Sequence, residues 1–384
     1  MDWRYVVLVP ALGPLAFYCL AIYAGLKYFR RLRSLPAPSC DYAPAVSILK
    51  PVRGLDREAY ENFASFCSLD YPEYEILFGI ADEDDPAIPI IQKLQKNYPE
   101  QAIRLVVGME QIGITRKTNS LVRLQREAKY NLLVINDSDV RVERDYLREV
   151  VAPFVDPQVG VVTAFFRGLT PKSFFPDLDA VGYPTDAAAN TLVAQMLGNI
   201  DFALGWTMAT TKERLVEIGG FESLVNHHSD DFALGNEIFR RGYRIELMRK
   251  PVWMVFQDES MGDFLRHELR WSILLKNLRP GGYAAMAMTF GLPWAVLVAL
   301  VIPSHVIAGG YFLIYLLLRL LVAWIVGGWG LEDPTVRRKI WLVPIRDAVN
   351  FCVYVASFFS NTVRWRGIEY RVQGPSFVPV KHEK

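Results

Sequence analysis

The sequence predicts an α/β domain flanked by transmembrane helices, and three observations support this fold class. The chain of 384 residues is 52% hydrophobic, although its 42 Lys and Arg almost balance its 41 Asp and Glu. The apolar surplus is concentrated at both ends, in runs long enough to cross a bilayer as helices. Between residues 45 and 278, short β-rich runs alternate with longer helix-period segments, which is typical of parallel strands joined by helices. The balanced charge argues against a dedicated nucleic-acid binder, so no nucleic-acid partner is expected.

The first element is an N-terminal apolar run. No charged side chain lies between Arg4 and Lys27, so residues 5–26 are predicted to form a transmembrane helix. A cleavable signal peptide is the alternative, but its positive charges precede the apolar run. Here the basic cluster 27–33 follows the run. By the positive-inside rule, the chain after residue 33 begins in the cytosol.

Four strands and three helices follow in alternation. The predicted strands are 45–49, 74–80, 103–107 and 132–135, and the predicted helices are 57–68, 86–98 and 117–130. In such a sheet, ligands bind beyond the carboxyl ends of the strands, where 50–54, 82–85 and 136–139 lie. The chain contains no GxxxxGK[ST] or GxGxxG motif, which argues against P-loop kinases and Rossmann dehydrogenases.

Acidic side chains dominate these strand ends. Asp137 and Asp139 form a D-x-D, and such a pair can hold Mg²⁺ or Mn²⁺ while leaving coordination positions for phosphate oxygens. An acidic turn without an ion is the alternative. Further on, Asp230 and Asp231 precede a helix-like segment and could serve as a simple N-cap cluster. The stretch 267–271 (HELRW) lies just before the next apolar block, where an Arg-Trp pair could also act as an interface anchor.

The second apolar block is about two spans long. It runs from Gly282 to Leu318 and resumes as 320–331, with a turn expected at Pro303, Gly309 and Gly310. Arg319 is costly in lipid, so we expect it to face a protein neighbour or a water-filled pocket.

Residues 340–363 are a weaker candidate span, because Arg346 and Asp347 interrupt them. A full span and an interfacial or re-entrant helix both stay open, and with them the side of the basic tail. The predicted organisation is an anchor over 1–34, an α/β domain over 35–280, transmembrane or interfacial helices over 281–363 and a basic tail over 364–384.

Taken in this order, the motifs resemble the ceramide glucosyltransferases, which are membrane-bound GT-A inverting glycosyltransferases, and the related bacterial hopanoid-associated glycosyltransferases. The likeness covers about residues 45–280 and extends to the flanking membrane topology. It is strongest in VSILKPVRG (46–54), DYPEYEILFGIADEDDPAI (70–88), IGITRKTNSL (112–121) and NDSDVRV (136–142). The resemblance implies a GT-A fold, with a Rossmann-like mixed sheet, in a cytosolic domain.

The family signature is an early Asp, a D-x-D, a later Asp and (Q/R)xxRW. The matching positions here are Asp82, Asp137 with Asp139, Asp231, and 267–271. His267 departs from the Gln or Arg that is usual in eukaryotic members and resembles the bacterial relatives, which puts a direct contact with the donor sugar at that position in doubt.

The resemblance implies a UDP-sugar donor, with UDP-glucose as the lead, and a membrane lipid acceptor, with ceramide or a hopanoid-like lipid in that role. It also implies a site residue by residue. Asp139 assisted by Asp137 would hold Mg²⁺ or Mn²⁺, and Asp231 would be the general base. Asp82, or alternatively Asp85, would receive the uridine. Lys117 and Asn119 would line the nucleotide pocket, and Arg270 with Trp271 would close over the diphosphate.

Three alternatives remain from the sequence. The same chemistry could join N-acetylglucosamine or glucuronate from a UDP donor to a hopanoid or diacylglycerol. A transporter would need polar groups in several spans, and a lipid-binding membrane scaffold would have no reason to keep Asp139, Asp231 and Arg270 together. The expected location is a membrane such as the bacterial inner membrane, with the catalytic domain cytosolic, because a surface-held site lets a lipid headgroup enter while its tails stay in hydrocarbon.

Overall fold

A computed structural model describes residues 3–36, 38, 41–198, 200–365 and 368–380. The chain forms two compact units. The sheet unit comprises Leu35–Leu169 and Asn199–Gln257, and the helix unit comprises Met1–Ser34, Thr170–Gly198 and Asp258–Lys384. This division assigns residues 170–198 and 258–280 to the helix unit, whereas the sequence groups them with the α/β domain. Positions 366, 367 and 381–384 of the predicted basic tail lie outside the described residues.

The sheet unit contains ten strands within the described residues. They are β1 Val46–Val52, β2 Tyr74–Ile80, β3 Ala102–Val107, β4 Leu132–Ile135, β5 Val140–Arg141, β6 Val159–Thr163, β7 Phe166–Leu169, β8 Met208–Thr211, β9 Arg244–Leu247 and β10 Val252–Val255, followed in the helix unit by β11 Thr362–Trp365, β12 Ile368–Gln373 and β13 Ser376–Pro379. Seven of them form a mixed sheet of order β3-β2-β1-β4-β8-β6-β9, and a smaller sheet has the order β5-β10-β7. The first four strands in sequence are parallel, whereas β8 pairs antiparallel with both β4 and β6.

Helices cover the sheet unit and make up most of the helix unit. They are α1 Leu8–Ser34, α2 Ala59–Ser65, α3 Ala87–Asn97, α4 Arg116–Glu127, α5 Tyr146–Val151, α6 Phe174–Tyr183, α7 Ala189–Leu197, α8 Lys212–Ile218, α9 Asp230–Arg240, α10 Met261–Leu278, α11 Pro280–Ala285, α12 Gly291–Val301, α13 His305–Val322, α14 Pro334–Lys339 and α15 Val343–Ser357.

The first half of the sheet unit confirms the predicted alternation. Strands β2 and β4 have the predicted bounds, and β1 continues to Val52. Every residue of β2 is buried, as expected for a parallel strand covered on both faces. Helix α4 packs closely on this sheet, because a Cβ at Gly79 would lie only 2.9 Å from Leu124 Cδ1. This close packing holds α4 against β2.

Among the residues of the helix unit that the structure describes, three helices are long and apolar enough to cross a membrane. They are Arg4–Ser34, His305–Gly330 and Pro334–Ser357, and the pair Pro280–Thr289 and Gly291–Val301 is a fourth candidate bent by 54°. The predicted N-terminal span agrees with the first of these. The turn expected in the second apolar block is right at Pro303 but wrong at Gly309 and Gly310, which lie inside α13. Glycine is common within transmembrane helices, so it does not mark a turn there.

Arg319 has acidic partners, which confirms the expectation that it faces protein. It is buried in α13, and its guanidinium donates to both oxygens of Asp347 at 2.9 and 3.0 Å. It also donates to Asp186 Oδ1 at 2.5 Å and to the carbonyl of Thr185 at 2.8 Å. Tyr315 donates to Asp347 at 2.9 Å. The buried positive charge is therefore paired and hydrogen-bonded within the helix unit.

Replacing Arg319 by leucine is expected to lower the free energy of unfolding by about 3–5 kcal/mol, because Asp347 is left buried without its counter-charge. The measurement is the thermal unfolding of the purified chain in detergent. The exposed Arg338→Leu change on α14 is the matched control and should have almost no effect. Adding Asp347→Leu to Arg319→Leu should recover part of the loss, and a single variant as stable as the control would contradict the prediction.

Candidate functional site

The sheet unit gathers charged side chains at the carboxyl edge of its strands. Asp137 and Asp139 follow β4, while Lys117 lies in the first turn of α4. The ammonium of Lys117 is 2.8 Å from Asp137 Oδ1 and 3.1 Å from Asp230 Oδ2. Although burial opposes it, these carboxylates raise the pKa of Lys117, so its side chain stays protonated. Lys117 thus joins the loop after β4 to the start of α9.

The D-x-D has the character of a cation site. Asp139 Oδ1 is buried and has no hydrogen-bond partner within the described ranges. Burial, reinforced by the nearby charges of Asp137 and Asp56, raises the pKa of Asp139 to about 7. A buried carboxylate oxygen without a donor is costly, and a divalent cation would satisfy it. The residues present therefore fit a hard metal ion.

A buried lysine lies beneath this pair. Lys50 in β1 is fully buried, and its ammonium donates to the carbonyl of Asp137 at 3.0 Å. The same ammonium lies 3.8 Å from the ring centroid of Phe66. Burial lowers the pKa of Lys50 to about 7, against the raising effect of Asp137 and Asp139. Ser138 in turn donates to Asp56, so the loop carrying the D-x-D is fixed at several points.

Asp231 faces the same space. It lies in the first turn of α9, where its Oδ1 accepts a hydrogen bond from the backbone N–H of Phe232 at 2.8 Å. Burial and the charge of Asp230 raise the pKa of Asp231 to about 6, while Lys117 opposes the shift. A Cβ at Gly205 would lie 3.2 Å from Asp231 Oδ2 and 3.7 Å from Asp137 Oδ2. The two carboxylates therefore flank one small space above Gly205.

The remaining predicted residues of the sheet unit differ in their surroundings. Asp82 is exposed, with Arg116 at 3.4 Å. Asp85 is buried, and its two oxygens accept backbone N–H bonds from Gly54 at 2.8 Å and Ala87 at 2.9 Å. These bonds give Asp85 a structural role, so the geometry favours Asp82 as the acid open to a ligand.

Asn119 also has a structural contact. Its side-chain amide exchanges two hydrogen bonds of 2.9 Å with the backbone of Gly113. This double contact shapes the loop that leads into α4 and to Lys117. A direct contact of Asn119 with a nucleotide stays a prediction.

The sequence did not single out Asp56 or Gly205, and it gave Lys50 and Asp230 no role in the site. Lys50 directly follows the predicted first strand and Asp230 adjoins Asp231, so position could have found both. No motif near Gly205 distinguishes it in the sequence, because the side chains that it faces, Asp231 and Asp137, come from distant segments of the chain.

The predicted Arg-Trp pair lies in the helix unit, on α10. The indole N–H of Trp271 donates to His267 Nε2 at 2.7 Å, and the Arg270 guanidinium is 5.8 Å from the indole centroid. Closure of Arg270 and Trp271 over a diphosphate stays a prediction.

Comparison with solved structures identifies the fold. The chain is similar to the mannosyltransferase PcManGT from Pyrobaculum calidifontis, whose structure was solved with GDP-Man and Mn²⁺. The TM-score is 0.58 at 20% identity, covering 91% of this chain and 99% of that one. The fold is that of GT-A glycosyltransferases, as the sequence predicted.

Comparison with sequence families gives a more specific assignment than the fold does. The chain matches Glycosyl transferase family 21 over residues 11–376 and belongs to that family. Ceramide glucosyltransferases 3 and 1 of Caenorhabditis elegans are 24% and 22% identical to it over 350 residues, covering 88% and 86% of this chain and 75% and 72% of theirs. The poly-β-1,6-N-acetyl-D-glucosamine synthase of Staphylococcus epidermidis is 21% identical over 226 residues, covering 57% of this chain and 53% of that one. The resemblance to ceramide glucosyltransferases is confirmed.

Adding a methyl group at Gly205 is expected to slow glycosyl transfer. In Gly205→Ala, the new Cβ enters the space between Asp231 and Asp137, and such overpacking costs roughly 1–3 kcal/mol, or about a 5–150-fold loss of rate. The measurement is kcat/KM for transfer. Gly198→Ala is the matched control, because its backbone is extended and its Cβ meets nothing within 4 Å. Equal rates in the two variants would show that the space above Gly205 is not used.

Proposed function

We propose that this chain moves a sugar from a UDP-sugar, with UDP-glucose as the lead donor, to the hydroxyl of a membrane lipid, with ceramide as the lead acceptor. The observation that carries the proposal is the meeting of Asp231 with the D-x-D above Gly205 in a family 21 chain. The names of the Caenorhabditis elegans relatives support a lipid acceptor. The helices long enough to cross a membrane fit the same acceptor class.

The first requirement of this reaction is charge neutralisation at the leaving diphosphate. Asp137 and Asp139 would hold Mg²⁺ or Mn²⁺, which supplies positive charge to the phosphates and orients them. Lys117 adds a protonated ammonium beside Asp137. Asp82, with Lys117 and Asn119, would contact the nucleotide, and Arg270 with Trp271 would exclude water from the diphosphate.

The second requirement is removal of a proton from the acceptor. Asp231 would accept the proton of the lipid hydroxyl while the hydroxyl oxygen attacks the anomeric carbon and UDP leaves on the opposite side. One such in-line displacement inverts the configuration, so an α-linked donor gives a β-glycosyl lipid. The carboxylate of Asp231 suits this role because its surroundings bring its pKa closer to neutral pH.

The proposed side of the membrane for the sheet unit is based on the positions of basic residues. The basic cluster 27–33 at the end of α1 would lie in the cytosol, together with the sheet unit that follows it. A membrane of the bacterial inner-membrane type would then present the acceptor headgroup at the same side as the soluble UDP-sugar.

The test is product formation by the purified full chain in lipid nanodiscs containing ceramide, with UDP-glucose and Mn²⁺ or Mg²⁺. β-Glucosylceramide, identified by mass spectrometry and by the anomeric NMR coupling, is the expected product. Parallel reactions with UDP-N-acetylglucosamine and UDP-glucuronate, and with hopanoid or diacylglycerol, identify a different donor or acceptor. If no pair of substrates gave a glycolipid, the chain would be a lipid-binding scaffold instead.

The pH dependence of sugar transfer should follow the protonation of the Asp231 carboxylate. A free aspartate has a pKa near 3.9, whereas that of Asp231 is raised to about 6. Because a base must be unprotonated to act, kcat/KM should fall as the pH drops through about 6. The profile should be measured between pH 4 and 8, and the residual activity of Asp231→Asn should lack this acidic limb. A limb near pH 4 in the unmodified chain would contradict the assignment.

A further inference from the structure

We infer that His267 is a positioning residue, which holds the indole of Trp271 through one specific tautomer of its imidazole. The inference rests on the proposed function. His267 and Trp271 are four residues apart on α10, so their side chains meet on one face of the helix. The indole N–H lies 2.7 Å from His267 Nε2. An indole nitrogen can only donate, so Nε2 must be the unprotonated acceptor.

The second ring nitrogen then carries the proton. His267 Nδ1 faces Asp179 Oδ2 at 3.5 Å. Asp179 lies on α6 and is only 8% exposed. Although burial opposes it, the interactions with His267 and Arg346 lower the pKa of Asp179, so it remains a carboxylate. A carboxylate beside Nδ1 stabilises the tautomer with its proton on that nitrogen, which leaves Nε2 free to accept from Trp271.

Buried charges hold Asp179 in turn. Arg346 on α15 has a guanidinium nitrogen 3.9 Å from Asp179 Oδ1, and it donates to Glu268 at 2.6 Å. The side chain of Arg346 packs over Gly182 of α6, where a Cβ would lie 2.3 Å from its Nε. Three helices of the helix unit therefore fix the carboxylate that orients His267.

A metal ion is the competing interpretation of this cluster. Ligand atoms of Asp179, Glu259 and His267 all lie within 4.8 Å of one another. A cation on Nδ1 would move the ring proton to Nε2, where it would face the indole N–H, donor against donor. A cation on Nε2 would take the nitrogen that accepts from Trp271. The hydrogen bond and metal ligation therefore exclude each other, and the observed 2.7 Å contact favours positioning.

The chemistry of the acceptor atom makes the inference testable by substitution. In His267→Gln, the amide oxygen can still accept from the indole, whereas His267→Leu offers no acceptor and His267→Arg offers only donors. We expect kcat for UDP-glucose and ceramide to stay within about threefold in His267→Gln and to fall about 10–100-fold in the other two, because a misplaced contact group costs up to about 100-fold. KM for the donor should change little.

Trp271→Phe completes a double-mutant cycle, since it keeps an aromatic ring and removes the N–H. The double variant with Trp271→Phe and His267→Leu should transfer sugar no more slowly than either single variant, because each change removes the same hydrogen bond between the two side chains. The same cycle read as thermal unfolding should be non-additive, and that readout does not depend on activity. Failure of the unmodified chain to transfer sugar would thus overturn the proposed function, while additive unfolding shifts would overturn the positioning role.

Two further outcomes would overturn the inference. One is a normal kcat in His267→Leu. The other is one equivalent of a transition metal in the purified chain that is lost in His267→Gln together with activity, which would make the cluster a metal site. Elemental analysis of the unmodified chain and of His267→Gln distinguishes the cases.

Discussion

Replacing Asp231 by asparagine should reduce sugar transfer by about 10²–10⁴-fold, the usual contribution of a general base. Asparagine keeps the size of the side chain and can still accept the N–H of Phe232 through its amide oxygen. Lys117 would keep both of its carboxylate partners, Asp137 and Asp230. Binding of UDP-glucose and Mn²⁺ should therefore remain close to that of the unmodified chain.

The measurement for Asp231 pairs turnover with binding. Turnover is followed as glycolipid formed, and binding of UDP and Mn²⁺ is followed by calorimetry. Glu237→Gln is the control on the same helix, because Glu237 is partly exposed and pairs with Arg240 and Arg241. Near-normal turnover in Asp231→Asn would remove Asp231 from the role of base.

Asp139→Asn should give a different result and weaken both metal binding and transfer. Its Oδ1 is the buried oxygen that lacks a donor within the described part of the chain, so a cation there would lose a ligand charge. We expect the affinity for Mn²⁺ to fall by at least about tenfold, since even changes to groups behind a metal ligand cost 10–100-fold. Transfer at limiting Mn²⁺ should fall in parallel.

Excess Mn²⁺ separates the two carboxylates. It should partly restore turnover in Asp139→Asn but not in Asp231→Asn. Asp156→Asn is the control, because Asp156 is an exposed acid paired with Arg244. An Asp139→Asn variant with unchanged Mn²⁺ affinity would show that the D-x-D does not hold the cation.

The parallel strands were predictable because of how they are buried. Strands covered on both faces read as continuous apolar runs, and β2 and β4 accordingly have the predicted bounds. The apolar helices were predictable for a related reason, since a long run without charge is rare outside a membrane. Where local rules compete, prediction failed, as at Gly309 and Gly310, where composition does not distinguish a turn from a helix in lipid.

For Arg319, the sequence predicted that a partner is needed but not which residue it is. Its cost in lipid implies some counter-charge. Asp347 is 28 residues away and Asp186 is 133 residues away, and no pattern in the chain connects the three positions. The need for a partner is local physics, whereas the choice of partner depends on how helices pack.

In the candidate site too, the sequence predicted the kinds of residue, whereas the tertiary structure decided their neighbours. Residue order and the family resemblance together predicted which acids belong to the site, because the D-x-D follows a strand and Asp231 lies at the start of a helix; their chemical roles stay predictions. Residue order could not place Asp231 and Asp137 on either side of Gly205, nor give Lys117 its bridge between Asp137 and Asp230. It also could not separate exposed Asp82 from Asp85, whose oxygens are taken by backbone N–H groups. These distances join segments far apart in the chain, so the order and register of the strands set them rather than any local pattern.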